Sequence, residues 1–251
     1  DDARVASLRK LNAARKAQMS IMPQQDPQIP GFDISGICIP ANEVGGDFFD
    51  YLWLDEQKQS FGIAIGDVSG KAMKAAMTAI LSNGILFSQA SESSSIKEIM
   101  TRINKPIYLK TEKHVFTALC LVSIHIHSKK MFYTNAGLNE PILKSGKSIR
   151  HLKQNGLKFP LGVREDSRYL QNELQLQAGD VLLLYTDGVS ESMNEKKELY
   201  GTKRLSELFT RIDTQNQSAK EIIGQLLDQI QAFSEGEAQR DDITIVVVKI
   251  N

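Results

Sequence analysis

Phe61-Gly62-Ile63-Ala64-Ile65-Gly66-Asp67-Val68-Ser69-Gly70-Lys71 is an apolar run that closes on a glycine and a carboxylate. Phe61 to Ile65 reads as a short strand. The chain then enters a helix-like segment, Ala72 to Ala90, with Met73, Ala76, Met77, Ile80, Leu81 and Ile85 on one side; Met73 and Met77 read as core. Asp67 therefore stands at a strand terminus, with Gly70 three residues on. The pattern recurs outward from this stretch. Asp47 follows Gly45-Gly46 at the start of an aromatic-rich strand over 47–54. Asp187 follows the buried-type strand Val181–Tyr185 and precedes Gly188. Asp241 and Asp242 sit just before the closing β-branched run, Ile243 to Ile250.

Carboxylates suit hard divalent cations, which take oxygen ligands. Several acids meeting at one point repel each other unless cations neutralise them, and glycine lets the main chain come close to an ion or its waters. Two bridged metals can activate water and clamp a transferring phosphoryl group. The residues thus point to a two-metal phosphohydrolase. Each Asp-Gly taken singly reads more readily as a turn; four such stations together weigh against that reading, though spacing alone does not choose between the two.

The 251 residues are 41% hydrophobic and 24% charged, an ordinary composition for a soluble globular chain. Lys plus Arg and Asp plus Glu both number 30, so there is no global basic field for nucleic acid or an anionic membrane. No apolar run approaches the roughly 20 residues of a membrane-spanning helix. Cys38 and Cys120 lie in apolar strand-like runs and make no disulfide framework, which predicts a reducing cytoplasm. The opening Asp1-Asp2 carries no signal-peptide pattern, and the lack of an initiating Met predicts a piece of a longer protein. Residues 3–22 read as a helix with a weak apolar stripe at Val5, Leu8, Leu11 and Met22. Pro23, Pro27 and Pro30 then predict an extended linker. Further strands are expected over 33–39, 115–126, 130–135 and 243–250, and helices over 96–109, about 202–211 and 218–234. Strands and helices come in blocks, which favours an α+β fold.

Six motifs occur in order: Gly45-Gly46-Asp47-Phe48-Phe49-Asp50, Gly66-Asp67-Val68-Ser69-Gly70-Lys71, Asn135-Ala136-Gly137, Pro160-Leu161-Gly162, Thr186-Asp187-Gly188-Val189-Ser190-Glu191 and Asp241-Asp242-Ile243-Thr244. The set resembles the PPM class of metal-dependent serine/threonine protein phosphatases, the type 2C fold, and within it the bacterial sporulation and sigma-factor-regulator branch. The resemblance implies an αββα sandwich, two facing antiparallel β-sheets flanked by helices, with an N-terminal linker helix over 1–22 and the phosphatase domain over 23–251. It implies two Mn²⁺ or Mg²⁺ ions at one end of the sandwich and no other cofactor. Asp67 would bridge both ions, Val68 would offer its backbone carbonyl, and Asp47 and Asp187 would each serve one ion. Asp241 matches the last ligand better than Asp242; Asp242 and Gly188 stand beside the set as a further ligand or a supporting contact. The implied catalytic carboxylates are thus Asp67, Asp47 and Asp187. The implied reaction is attack of a metal-bridging hydroxide on phosphoserine or phosphothreonine, with no phosphoenzyme. The implied substrate is a phosphorylated anti-sigma-factor antagonist in a partner-switching signalling system. An upstream sensor domain and a homodimer through the N-terminal helix follow from the same resemblance, with no nucleic acid and no membrane insertion.

Three positions depart from the family pattern. Ala72 replaces a glycine after Gly70-Lys71, Leu138 replaces a His after Asn135-Ala136-Gly137, and Asn42 stands in the region of a phosphate-binding Arg. An Asn offers no charged bidentate fork, which predicts weaker capture of free phosphate esters. Other readings fare worse. Gly66–Lys71 is one residue short of a P-loop and lacks its Ser/Thr. Gly45-Gly46-Asp47-Phe48-Phe49 is similar to a diguanylate-cyclase signature without its Glu. His125 and His127, at i and i+2 of a strand, share a face opposite Cys120, Val122, Ile124 and Ile126 and read as its wetter side. Glu195-Lys196-Lys197-Glu198 reads as a solvated loop. A binding or sensing module with a decayed site is the remaining alternative, and the presence of every expected acid speaks against it.

Overall fold

The computed structural model describes residues 12–70 and 72–251. Helix α1 covers the described residues 12–20. Val5, Leu8 and Leu11, with the dimer contact expected of the N-terminal helix, lie outside the described residues, as does Lys71.

Strands β1 (Phe32–Ile39), β2 (Asp47–Trp53) and β3 (Ser60–Val68) lead to helices α2 (Ala72–Ala90) and α3 (Ile96–Lys110). Next come β4 (Thr117–His125), β5 (Lys130–Ala136), β6 (Ile142–Ser145), β7 (Ser148–His151), β8 (Asn172–Gln175) and β9 (Val181–Tyr185). The one-turn helix α4 (Asp187–Ser190), helices α5 (Gly201–Arg211) and α6 (Ala219–Phe233), and strand β10 (Ile243–Ile250) complete the chain. Two five-stranded sheets form, in the orders β1-β10-β9-β6-β7 and β2-β3-β4-β5-β8. Every pairing between neighbouring strands is antiparallel. Helices α2 and α3 cover the second sheet, and α5 and α6 cover the first. This is the expected αββα sandwich.

The alternation along β9 and β10 shows how the layers are held. Leu182, Leu184, Val246, Val248 and Ile250 face the core between the sheets. Leu183, Tyr185, Ile243, Ile245 and Val247 face α5 and α6. Both faces are covered, so these strands read as continuous apolar runs rather than as alternation. Each fully buried Ile, Leu or Val contributes about 1.5–3 kcal/mol. Helix α6 opens with a capping box in which the Ser218 side chain accepts from the Glu221 N–H and the Glu221 side chain accepts from the Ser218 N–H.

The structure corrects three local expectations. Most of the apolar stripe of α2 faces outward: Met73, Met77, Ile80 and Leu81 are exposed, Met77 by 63%, while Ala76 is buried and Ile85 packs against the core. The helix instead buries Ala75, Ala76, Ala79, Leu86 and Ala90, because small side chains let it lie close to the sheet. Strand β4 has no wet face. Leu119 and Leu121 are as buried as Cys120 and Val122, since α2 and α3 cover one side and the other sheet covers the other. His127 lies beyond β4 in the turn, so it does not share a strand face with His125. His125 Nδ1 is hydrogen-bonded to the Ser128 main chain and hydroxyl instead. The four-residue elements β6, β7, β8 and α4 are too short to show a periodicity and are specified by what they pair with.

The segment after α1 is tied to the body. Met22 and Ile29 are buried in the core. Asp26 accepts hydrogen bonds from the Ser35 hydroxyl and the Gly36 N–H, both on β1.

Candidate active site

The register of the β2–β3 ladder places Asp47 directly opposite Asp67. One residue opens its strand and the other nearly closes its own, so antiparallel pairing brings both to the same end of the sheet. Asp47 is almost wholly buried, and its Oδ2 accepts from the hydroxyls of Thr186 and Thr244, each at 2.6 Å. Thr186 follows β9 and Thr244 lies on β10, so these two bonds join the two sheets at this end. Asp187 begins α4 one residue later. Carboxylate oxygens of Asp187, Glu191 and Asp241 all lie within 4.8 Å of one another. Glu191 was not singled out from the sequence. Its signal is the four-residue spacing from Asp187, which puts both on one helix face, but a helix of one turn gives no periodicity to reveal it.

These acids shift each other strongly. Burial, then the charges of Asp187, Asp241 and Asp242, push the Asp67 carboxyl up to about 7. Burial, then Asp241 and Glu191, push Asp187 up to about 6. Burial, then Asp67, raise Asp47 well above the usual carboxylate range, against the two threonine bonds that lower it. None of the ion pairs among the described residues reaches Asp47, Asp67 or Asp187. Oxygen-only donors crowded together in this way fit a hard divalent cation.

Asp242 has a different setting from Asp241. Its Oδ1 accepts from the Ala41 N–H at 2.8 Å and its Oδ2 from the Asp47 N–H at 3.2 Å. It latches the start of β10 to the loop before β2. The nearby glycines serve this latch. A side chain at Gly45 would meet the Asp242 carboxylate, and one at Gly188 would meet the Asp242 carbonyl. At Gly46 the close neighbour is the Val68 carbonyl, and the Val68 N–H donates to Gly46 O at 3.2 Å. Asp241 is exposed, and its Oδ1 accepts from the Asp242 N–H.

The remaining motifs shape the rim. Asn135 folds its own turn, accepting from the Leu138 N–H and donating to the carbonyls of Leu138 and Asn139. Asn139 then donates to the Ser190 hydroxyl on α4. Gly137 takes φ +86° with Pro160 against it, and Leu161 bridges to Thr117. Asn42 is exposed in the loop before β2. Both cysteines are buried and unpaired, and burial pushes each thiol up to about 12.

The family described as Stage II sporulation protein E (SpoIIE) matches residues 57–251. Protein IcfG of Synechocystis sp. is 28% identical over 96% of this chain, and phosphoserine phosphatase RsbU of Bacillus subtilis is 23% identical over 96%. The chain spans 42% of the length of IcfG and 70% of that of RsbU. The solved SiaA-PP2C domain of Pseudomonas aeruginosa has the same fold, with a TM-score of 0.86 at 21% identity over 99% of both chains. The chain belongs to the Stage II sporulation protein E (SpoIIE) family, as a PP2C-type phosphatase domain of the sporulation and sigma-factor-regulator branch.

Proposed function

We propose that this domain hydrolyses phosphoserine or phosphothreonine on a partner signalling protein with two divalent cations, Mn²⁺ or Mg²⁺. The observation that carries this reading is the convergence of Asp47, Asp67, Asp187 and Asp241 at one end of the sandwich, each acid raising another's pKa. Asp67, between the Asp47 side and the Asp187–Asp241 side, would serve both ions, with the Val68 carbonyl beside it. Asp47, Asp187 and Asp241 would complete the ligands, and Glu191 joins Asp187 and Asp241. Such ions, when bound, lower the pKa of water and absorb charge on phosphoryl oxygens.

The chain's own contribution is placement. Thr186 and Thr244 fix the orientation of Asp47 and keep one of its oxygens engaged. Asp242 and the glycines around it hold the main chain of the two sheets together beneath the acids. Water attacks phosphorus, the bond from phosphorus to the substrate oxygen breaks, and a proton ends on that oxygen.

By analogy with the relatives' branch, the substrate is a phosphorylated anti-sigma-factor antagonist in a partner-switching system. Residues 1–22, whose described part carries α1 over 12–20, are read as the linker that joins the phosphatase domain, 23–251, to an upstream sensor and pairs with a second copy. The buried, unpaired cysteines support a cytoplasmic setting, and no helix among the described residues is long and apolar enough to cross a membrane.

The test is hydrolysis of p-nitrophenyl phosphate and of a phosphoserine protein with Mn²⁺, Mg²⁺ or EDTA, beside Asp67→Asn and Asp187→Asn. Activity that requires the metal and disappears in both variants supports the reading. A wild type that neither turns over nor binds Mn²⁺ in calorimetry overturns it in favour of a binding module. Equal efficiency on the small ester and the phosphoprotein would count against a role for protein docking in place of the absent arginine.

A further inference from the structure

Gln18 lies in the last turn of α1, yet it is only 2% exposed. Its side-chain amide meets both main-chain polar groups of one residue, Gly45. Nε2 donates to the Gly45 carbonyl at 2.6 Å, and Oε1 accepts from the Gly45 N–H at 3.2 Å. A neutral primary amide carries the donor and the acceptor that a residue's main chain needs, side by side. The two residues are 27 positions apart in the chain, so this contact belongs to the tertiary structure and not to a local turn.

The residue so gripped is two positions before Asp47. On its inner side the Gly45 main chain lies against the Asp242 carboxylate, which accepts from the N–H groups of Ala41 and Asp47. The loop over 40–46 is therefore held from inside by Asp242 and from outside by Gln18. A shift at Gly45 moves the main chain that aims Asp47 at Asp67.

We propose that Gln18 is a positioning residue for the metal site: by gripping Gly45 it holds the 40–46 loop in the arrangement that gives the acids their cation affinity. The inference rests on the two-cation reading given above. It makes the end of the N-terminal helix part of the support of the site.

The test compares wild type with Gln18→Met, which keeps the volume and removes both bonds, and with Gln18→Glu, which keeps the acceptor for the Gly45 N–H. Asp26→Ala is a control that removes a similar latch on β1, away from the 40–46 loop. Each protein is titrated with Mn²⁺ by calorimetry and melted in EDTA and in Mn²⁺. In Gln18→Met the dissociation constant for Mn²⁺ rises about tenfold, the scale of one lost hydrogen bond, and the metal-induced rise in melting temperature shrinks. Gln18→Glu falls between that variant and wild type, and it carries the test where Gln18→Met does not fold. Asp26→Ala melts lower in both media with its Mn²⁺ affinity unchanged. Folded Gln18 variants that bind Mn²⁺ as wild type does, and melt lower by the same amount in both media, overturn the inference alone. A wild type that binds no Mn²⁺ overturns the two-cation reading and this inference with it.

Discussion

Asp47 and Asp67 are register partners across the β2–β3 ladder, and the buried Asp47 is further held by Thr186 and Thr244 from the facing sheet. Two carboxylates in this position cost the metal-free fold free energy, because burial and mutual repulsion both oppose their ionisation. The same arrangement is ready for cations. Stability and activity should therefore respond in opposite directions when the charge is removed.

Asp67→Asn removes a charge that the neighbouring acids disfavour. The metal-free variant should melt higher than wild type at pH 7.5, while its turnover falls by at least about 10²-fold, the scale seen when a charge-stabilising group is deleted. The rise in melting temperature on adding Mn²⁺ should vanish. Calorimetric melts with and without Mn²⁺, read beside the phosphatase assay, check this. A variant that melts lower in EDTA would contradict the repulsion argument.

The pH dependence of the metal-free protein follows from the same acids. The folded pKa values of Asp67 and Asp187 are raised from 3.8 to about 7 and about 6. The folded state then holds protons that the unfolded chain has released, so these groups favour folding fully below about pH 4 and lose that contribution as pH rises to about 7. Asp55, Asp213, Glu221 and Glu237 are shifted the other way, chiefly by hydrogen bonds. Their contribution is lost only in more acid solution, as pH falls through their lowered values. Melting temperature in EDTA should fall between pH 5 and pH 7.5, and Mn²⁺ should restore it at the upper end. A steady rise across that interval in EDTA would refute the assignment.

Asp241 and Asp242 are adjacent and should behave differently. Asp242→Ala strands the N–H groups of Ala41 and Asp47, and an unsatisfied buried group costs about 1–3 kcal/mol. For a domain of this size each kcal/mol is about 2–4 °C in melting temperature. Asp241→Ala, at an exposed position, should change the metal-free melt far less and weaken Mn²⁺ binding. Gly188→Ala should resemble Asp242→Ala, since its new side chain meets the Asp242 carbonyl. Denaturant melts beside Mn²⁺ titrations separate the two classes.

Lys144 is a structural cation. It is 3% exposed, and its ammonium donates to the carbonyls of Phe209, Thr210 and Ile212 at the end of α5. It satisfies carbonyls that the helix end leaves without partners. Lys144→Met keeps the packing and removes all three bonds, so it should destabilise by about 1–3 kcal/mol without changing Mn²⁺ affinity. A change in affinity would place this end of the first sheet in communication with the site.

Much of the architecture could be read along the chain because apolar runs of five to eight residues bounded by polar or glycine residues have few alternatives. Phe61–Ile65, Val181–Tyr185 and Ile243–Ile250 all form strands, and Ala72–Ala90 is a helix throughout. The ordered motifs led to the SpoIIE family, which leaves the diguanylate-cyclase and P-loop readings without support. The acids at strand ends were visible individually, since a carboxylate beside glycine after an apolar run is a local pattern.

What the sequence determined by itself was the longer strands and helices, the family, and the acids worth examining, all of which depend on residues close together in the chain. Tertiary structure alone decided which acids are latches and which face one another. Asp241 and Asp242 are indistinguishable as neighbours in sequence, but only Asp242 reaches the N–H groups of Ala41 and Asp47, about 200 residues away. Glu191 joins Asp187 and Asp241 only because β9 and β10 are adjacent in one sheet. The outward face of α2 has the same cause: periodicity marks an apolar side, while the room left above the sheet decides which side is buried, and here that side is mostly alanine, Ala75, Ala76, Ala79 and Ala90, with Leu86.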